Sequence, residues 1–276
     1  MAEPDDFEAV RRDPDPIRRG RRAGELLTIY QQRATELARL RRAAIEQAYR
    51  ERAMSFTEIA KALGLSKGRI TQIRTDAPPP ERAFFGVGPV TIAIPHRYGI
   101  EGRALPVIAA EDAQTATEIE QLVSGLALSF TRVGIGPETD KPPMDDAVVI
   151  CGPKSARVGA ALLADDPVLT MIEHERRWWI TNRETGERYG SPSDDVPART
   201  GDLAYLSRRR DDDRVLVHIA GLHAVGSLGV ASYLAGHLSD LYAEALNDDS
   251  FSAAVECEFD GLLITQTRLL AGPFAW

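Results

Sequence analysis

An all-α head joined to a larger α/β body is the fold class that this 276-residue chain predicts. Three observations predict it. Apolar residues recur at helical spacing from Ala23 to Arg74. Asp76-Ala77-Pro78-Pro79-Pro80 then blocks any helix, because proline lacks an N–H and restricts the residue before it. Beyond the prolines, apolar strands alternate with helical stretches and a group of short antiparallel segments, the pattern of a three-layer α/β domain. The predicted organisation is a disordered N-terminus at 1–17, a helix-turn-helix unit at 18–75, a Pro-rich linker at 76–89 and an α/β domain at 90–276.

Residues 1–17 hold Pro14, Pro16 and mixed charge, which favours disorder. From Ala23 to about Arg52, Leu26, Leu27, Tyr30, Leu37, Leu40, Ile45 and Tyr49 mark one long helix or two. Phe56–Arg74 has helix-turn-helix spacing. Ala60 is the small residue where two helices touch, and Gly64 sits four positions on, where the turn tolerates positive φ. Ile70 and Ile73 point back to the core, Leu63 and Leu65 close the apolar side, and Ser66 caps the second helix. An ordinary αα-hairpin with a polar outer face has the same apolar pattern. The second helix ends near Thr75, and the triple proline makes a short stiff linker.

In the body, Val90–Pro95 and Leu105–Ala109 read as strands, followed by a helix capped by Asp112 and carrying Ala116, Ile119, Leu122 and Val123. Leu126–Val133 is a strand or a passage from helix to strand. Ala147–Cys151 is wholly apolar, as in a sheet covered on both faces, and leads into a helix over Val158–Leu163. Leu169–Glu173, Trp178–Asn182 and Glu187–Tyr189 read as short antiparallel strands, with Tyr205–Leu206 as a further one. Arg214–Gly221 is a second buried strand, feeding a long helix from Ser227 to Leu246. Phe251–Phe259 and Leu262–Leu270 form a hairpin about Asp260-Gly261.

Charge is unevenly placed. The chain carries −8 overall, but Arg18–Thr75 holds fourteen Lys and Arg against five Asp and Glu, a net +9. Residues 76–276 carry −13. A cationic segment that coincides with the helix-turn-helix spacing is the electrostatic footprint of a phosphate-binding module. Ser66, Lys67, Gly68, Arg69, Thr71, Gln72 and Arg74 form the candidate DNA-reading set, able to bond phosphates and base edges in a major groove.

Composition bounds the rest. No apolar run approaches the length that spans a bilayer, and the acidic start is no secretory signal. Two cysteines, Cys151 and Cys257, make neither a disulfide framework nor a four-Cys zinc site. The expected compartment is the cytoplasm. No His spacing suits a metal, and no cofactor motif is present.

Two strand-to-helix junctions carry the candidate ligand site. They are VVICGPKS, with Gly152, Pro153, Lys154 and Ser155, and HIAGLHAVGSLG, with Gly221, His223, Gly226 and Ser227. In an open α/β sheet, ligands bind beyond the carboxyl ends of the strands. Both junctions offer glycine for close approach and a helix N-terminus for an anion. Lys154 adds charge, and Ser227 is a candidate cap for its helix. Glycines that merely let helices pack on strands look the same. Cys151 fits a buried small hydrophobe better than a nucleophile. Asp194-Asp195 and Asp211-Asp212-Asp213 read as loop and turn, and Trp178-Trp179 places one indole on each side of a strand.

Ser55–Arg74, with EIAKALGLSKGRITQIR at its centre, resembles helix-turn-helix regulators and the DNA-binding fourth region of bacterial sigma factors. The resemblance covers about a quarter of the chain and implies DNA reading by Lys67, Gly68, Arg69, Thr71, Gln72 and Arg74. The polymerase-binding parts of a sigma factor have no counterpart. The body resembles actinobacterial Rossmann-like modules joined to such heads, through CGP at 151–153 and AGxxxxGS at 220–227, although Ser155–Arg157 lacks the Asn of the first motif. That likeness implies a Rossmann-like α/β domain and no particular activity.

The function expected is sequence-specific binding of double-stranded DNA by a transcriptional regulator. Its body would sense a small anionic or nucleotide-like ligand, or mediate homo-oligomerisation, for which the 227–246 helix is one candidate surface and a cover for the sheet the other reading of it. The alternative is a nucleotide-processing hydrolase or transferase whose turnover depends on Lys154, Cys151 or His223, with the head as a targeting device.

Overall fold

The computed structural model describes residues 4–98, 106–211, 213–244 and 250–276. The chain opens with α1 (Pro4–Arg12), a helix within the segment expected to be disordered. Asp13 follows it and organises the junction. Its carboxylate accepts from Arg18 Nε at 2.7 Å and Nη2 at 2.8 Å, and that guanidinium pulls it down to about 2. Asp15 caps α2 (Pro16–Glu51), accepting from the N–H groups of Ile17 and Arg18, with Pro16 in the first turn. The predicted helical region is thus a single helix of 36 residues.

Two short helices follow. In α3 (Phe56–Ala62), Ser55 and Glu58 cap reciprocally. Gly64, at φ +65°, makes the turn, and Ser66 Oγ accepts from Arg69 N at 3.2 Å to cap α4 (Lys67–Asp76). Ile59, Ala60, Ile70 and Ile73 pack with Ile45 of α2 into one small core, and Leu65 leans on it. Leu63 departs from expectation. It is the C-cap of α3 and follows the chain outward, 51% exposed, while Leu65 N bonds Ala60 O and turns inward.

The predicted linker is largely part of the body. Only Ala77–Pro79 lies between α4 and a 3-10 turn at Pro80–Phe85, whose Ala83, Phe84 and Phe85 are buried. Phe84 and Phe85 join the main core of the sheet, and Arg208 donates to the carbonyls of Phe84 and Ala83, each at 3.0 Å. Two aromatic side chains outweigh the local proline signal, because their burial stabilises by about 1.5–3 kcal/mol each.

The body then runs through β1 (Val90–Pro95), β2 (Arg97–Tyr98), β3 (Pro106–Val107), α5 (Ala110–Gly125), β4 (Phe130–Ile135), β5 (Ala147–Ile150) and α6 (Arg157–Ala164). It continues with β6 (Leu169–His174), β7 (Arg177–Asn182), β8 (Arg188–Gly190), β9 (Gly201–Asp211), β10 (Arg214–Gly221), α7 (Ala224–Glu244), β11 (Phe251–Asp260) and β12 (Leu263–Ala275). The expected strand at 105–109 is only the two-residue β3, with Leu105 outside the described residues. Ala245 and Leu246, at the expected end of the long helix, also lie outside them. Asp112 is not the cap of α5. That helix begins two residues earlier, after Ala109.

Seven strands form one mixed sheet, in the order β12-β11-β9-β10-β5-β1-β4. β4, β1, β5 and β10 are parallel, and β9, β11 and β12 continue antiparallel. Side chains alternate between faces with period two. Ile92, Val148, Ile150, Val217 and Ile219 meet residues of α5 and α7 on one face. Ala93, Val149 and Leu216 meet α6 on the other. There the sheet of β6, β7 and β8 also packs, through Leu169, Met171 and Ile180, against Leu203, Tyr205 and Ala220. The layers are therefore α5 and α7, the large sheet, then α6 with the small sheet. The expected strand at Tyr205–Leu206 is the eleven-residue β9. α7 does not offer a broad free face, since Leu228, Val230, Ala231, Tyr233, Leu234, Leu238 and Leu241 are buried in covering the sheet.

Candidate functional site

Two regions gather the sequence-predicted residues. The first is the outer face of α4. Ser66, Lys67, Gly68, Arg69, Thr71, Gln72 and Arg74 are all exposed, while Ile70 and Ile73 hold the helix from behind. Arg69 Nη1 donates to Gln72 Oε1 at 2.6 Å. The Arg74 guanidinium lies 4.3 Å over the Phe56 ring, which stacks on Tyr49 at 4.5 Å. A Cβ on Gly68 would meet nothing closer than Ser66 Oγ at 4.0 Å, so nothing among the described residues requires glycine there.

The second region is a cleft of about 70 Å³ at the carboxyl edge of β1, β5 and β10. Here β1 leads to α5 on one face of the sheet and β5 leads to α6 on the other. That reversal is where open α/β sheets part to form a crevice. Gly152, Lys154, Ser155, Gly221, His223 and Ser227 line it, together with Pro95, Arg97, Asp112, Cys151, Leu222 and Ala224. The two junctions thus meet in one site. Pro153 and Gly226 are not part of its lining.

The expected helix-terminus chemistry is absent. The first turn of α7 is already capped from within the chain. Buried Asp202 accepts from His223 N at 3.0 Å and Gly226 N at 2.8 Å. Gly226 serves that cap, because a Cβ there would lie 2.6 Å from both Asp202 Oδ2 and Leu203 O. Ser227 is not an N-cap. It is buried inside α7, and its Oγ accepts from Gly221 N at 3.0 Å. The start of α6 is occupied too, since Arg157 N bonds Pro137 O and Val158 N bonds Thr139 O. Helix dipoles already satisfied by internal acceptors leave little for an external anion.

Side-chain charge dominates instead. Lys154 Nζ donates to Leu222 O at 2.5 Å and lies 5.5 Å from the centre of the Trp178 ring. Burial lowers its pKa, against the pull of Asp202 and Asp194. His223 bonds Asp202 through Nδ1 at 3.1 Å and faces Asp194 Oδ1 with Nε2 at 3.3 Å. The Asp202 bond raises its pKa against partial burial, so the imidazolium is favoured. Asp112 is pushed up to about 6 by burial, an effect that Arg97 opposes. Cys151 is buried, and its thiol is pushed up to about 12, which disables it as a nucleophile near neutral pH.

Asp202, Asp112, Arg97 and Asp194 escaped the sequence reading as site residues. Asp112 carries a signal, an acidic residue at the start of an apolar helix, but that signal reads as a helix cap. Asp202 is brought under α7 by the pairing of β9 with β10, 21 residues from His223. No local pattern announces that contact.

Among the described residues, no group of three or more His, Cys, Asp and Glu is placed to hold a metal, and no helix is long and apolar enough to cross a membrane. No protein-family model matches the chain, and no curated protein matches it significantly.

Proposed function

We propose that the chain is a DNA-binding regulator. In this reading α3, the Gly64 turn and α4 form a helix-turn-helix, and the Rossmann-like body holds a small ligand in the cleft. One observation carries it. α4 buries Ile70 and Ile73 while exposing Lys67, Arg69, Thr71, Gln72 and Arg74, in the segment that carries +9. A helix anchored from behind, with donors outward, suits a major groove. The acidic body would turn away from the phosphates.

The cleft suits a ligand with an anionic group beside hydroxyls. Lys154 and Arg97 would hold the anion, and Asp112 would accept from a hydroxyl. A sugar phosphate or a nucleotide has that chemistry. The space admits a phosphate-sized group, with the remainder leaving through the mouth. Fluorescence anisotropy with a randomised duplex tests the DNA part. Binding that weakens steeply with salt is expected, and no binding in dilute buffer refutes it. Thermal-shift screening against nucleotides and sugar phosphates tests the cleft. Stabilisation that disappears in Lys154→Met is expected, and a flat screen refutes ligand sensing.

A second reading rests on Asp112. A carboxyl with a pKa of about 6 in a cleft can exchange protons near neutral pH, as a hydrolase or transferase requires. Product formation from a nucleotide, lost in Asp112→Asn, would decide for that reading.

A further inference from the structure

The middle of α2 presents an apolar stripe to solvent. Leu27, Tyr30 and Leu37 are 56%, 41% and 65% exposed, and Leu40 beside them is 45% exposed. Gly20, Ala23, Ala34, Arg41 and Ala44 are exposed on the same stripe. The positions 20, 23, 27, 30, 34, 37, 41 and 44 alternate by three and four without a break. That is the period of a coiled-coil seam, sustained over more than three heptads. The body takes a different side of the helix, where Gln32 and Glu36 meet Arg82.

We propose that this stripe is a dimer interface with a second copy of the chain, formed by two α2 helices packed antiparallel about a twofold axis between residues 31 and 33. Size and charge together choose the partner and the direction. A parallel pair would set Arg41 against itself and Tyr30 against itself, like on like. The antiparallel pair sets Leu27 against Leu37 and Tyr30 against Ala34. It also sets Arg41 against Ala23 and Gly20 against Ala44. Every large residue but the Leu pair then faces a small one, and the two Arg41 side chains lie at opposite ends.

Arg33 flanks the axis and meets its own copy, a like-charge contact that the seam must outweigh, while other neighbouring arginines are paired. Arg18 and Arg22 pair with Asp13, Arg39 with Glu36 and Arg42 with Glu46, all within the chain. The helix is already folded and anchored, so association orders no backbone, which is the main obstacle for a short isolated coiled coil. The interface does not depend on what α4 or the cleft binds.

Sedimentation equilibrium of the intact chain tests it. A mass of twice 30.2 kDa is expected for the wild type, falling to 30.2 kDa in Leu27→Asp/Leu37→Asp. Both leucines are exposed, so the variant should keep its helical circular dichroism. A wild type that stays monomeric at about 100 μM overturns the proposal, as does a dimer that survives both substitutions. Single cysteines test the direction without disturbing the seam, because Cys151 and Cys257 are buried. Gln31→Cys should cross-link to itself. Ala23→Cys should not, its two copies lying roughly 27 Å apart at 1.5 Å per residue. The reverse result, or no cross-link in either, overturns the antiparallel dimer.

Discussion

Replacing Arg69 and Arg74 together by alanine should change the salt dependence of DNA binding by an amount that can be worked out beforehand. Each phosphate contact contributes about 0.9 to the slope of log affinity against log salt. Two lost contacts make the slope shallower by about 1.8. Between 50 and 200 mM salt the wild type should therefore lose roughly twelve-fold more affinity than the variant. The geometry supports counting both side chains. Arg69 is steered by Gln72 at 2.6 Å, and Arg74 is held on the Phe56 ring, so neither pays much entropy on docking. The fold should survive, since both are exposed. Arg74→Ala forfeits only a surface cation–π contact worth about 0.5–1 kcal/mol. Anisotropy titrations at four salt concentrations, with a melting curve for each variant, make the measurement. Exposed Arg176 and Arg188 on the small sheet serve as the control pair. An intact double variant with the wild-type slope, or an equal change in the control, refutes the assignment of α4 as the DNA-contacting helix.

Asp112 should make stability depend on acidity. Its folded carboxyl takes a proton at about 6, against 3.8 for the ordinary group, so the protonated form's advantage is complete below pH 3.8 and lost as pH rises to 6. Across that window the wild type should lose about 3 kcal/mol relative to Asp112→Asn, read from urea melts, and parallel profiles would contradict it. Gly226→Ala should destabilise by about 1–3 kcal/mol in thermal melts, because its Cβ would strike Asp202 and the Leu203 carbonyl; an unchanged melt would mean the cap can relax. Gly68→Ala should do the opposite, stabilising by up to about 1 kcal/mol through helix propensity in open space, and any weakening of DNA affinity would report close backbone approach.

The sequence made the local features legible and hid the distant ones. The α/β class follows from the all-apolar Ala147–Cys151 and the largely apolar Arg214–Gly221, and these are neighbouring parallel strands. Ser66, Gly64 and Ile70 could be read because caps, turns and helical spacing act within a few residues. The linker signal misleads because three prolines are a loud local feature, while the burial of Phe84 depends on partners such as Phe251, far along the chain. The cleft was half legible. Its glycines and Lys154 sit in recognisable strand-to-helix turns, but Asp202 and Asp112 arrive through β pairing and helix packing. They set acceptors among the donors that the turns alone suggest.

Head and body meet through a buried cation, and this limits how they can move. Arg82 is fully buried. Its Nη2 donates to Gln32 Oε1 at 2.9 Å and to Val87 O at 2.8 Å, while Nε and Nη1 lack hydrogen-bond acceptors. Burial pushes its pKa down, and the nearest carboxylate, Glu36 of α2, lies 3.9 Å away. A guanidinium does not surrender its charge, so lifting α2 away would strand a desolvated cation or flood the contact with water. α2 is therefore fixed against the body rather than swung from a flexible tether. The same segment places Phe84 and Phe85 in the core shared by α5 and α7, whose first turns contribute Asp112 and Ala224 to the cleft. The segment that carries Arg82 thus joins the core beside α5 and α7 to α2. A ligand that moves α5 or α7 must either leave the head where it is or break the Arg82 contact.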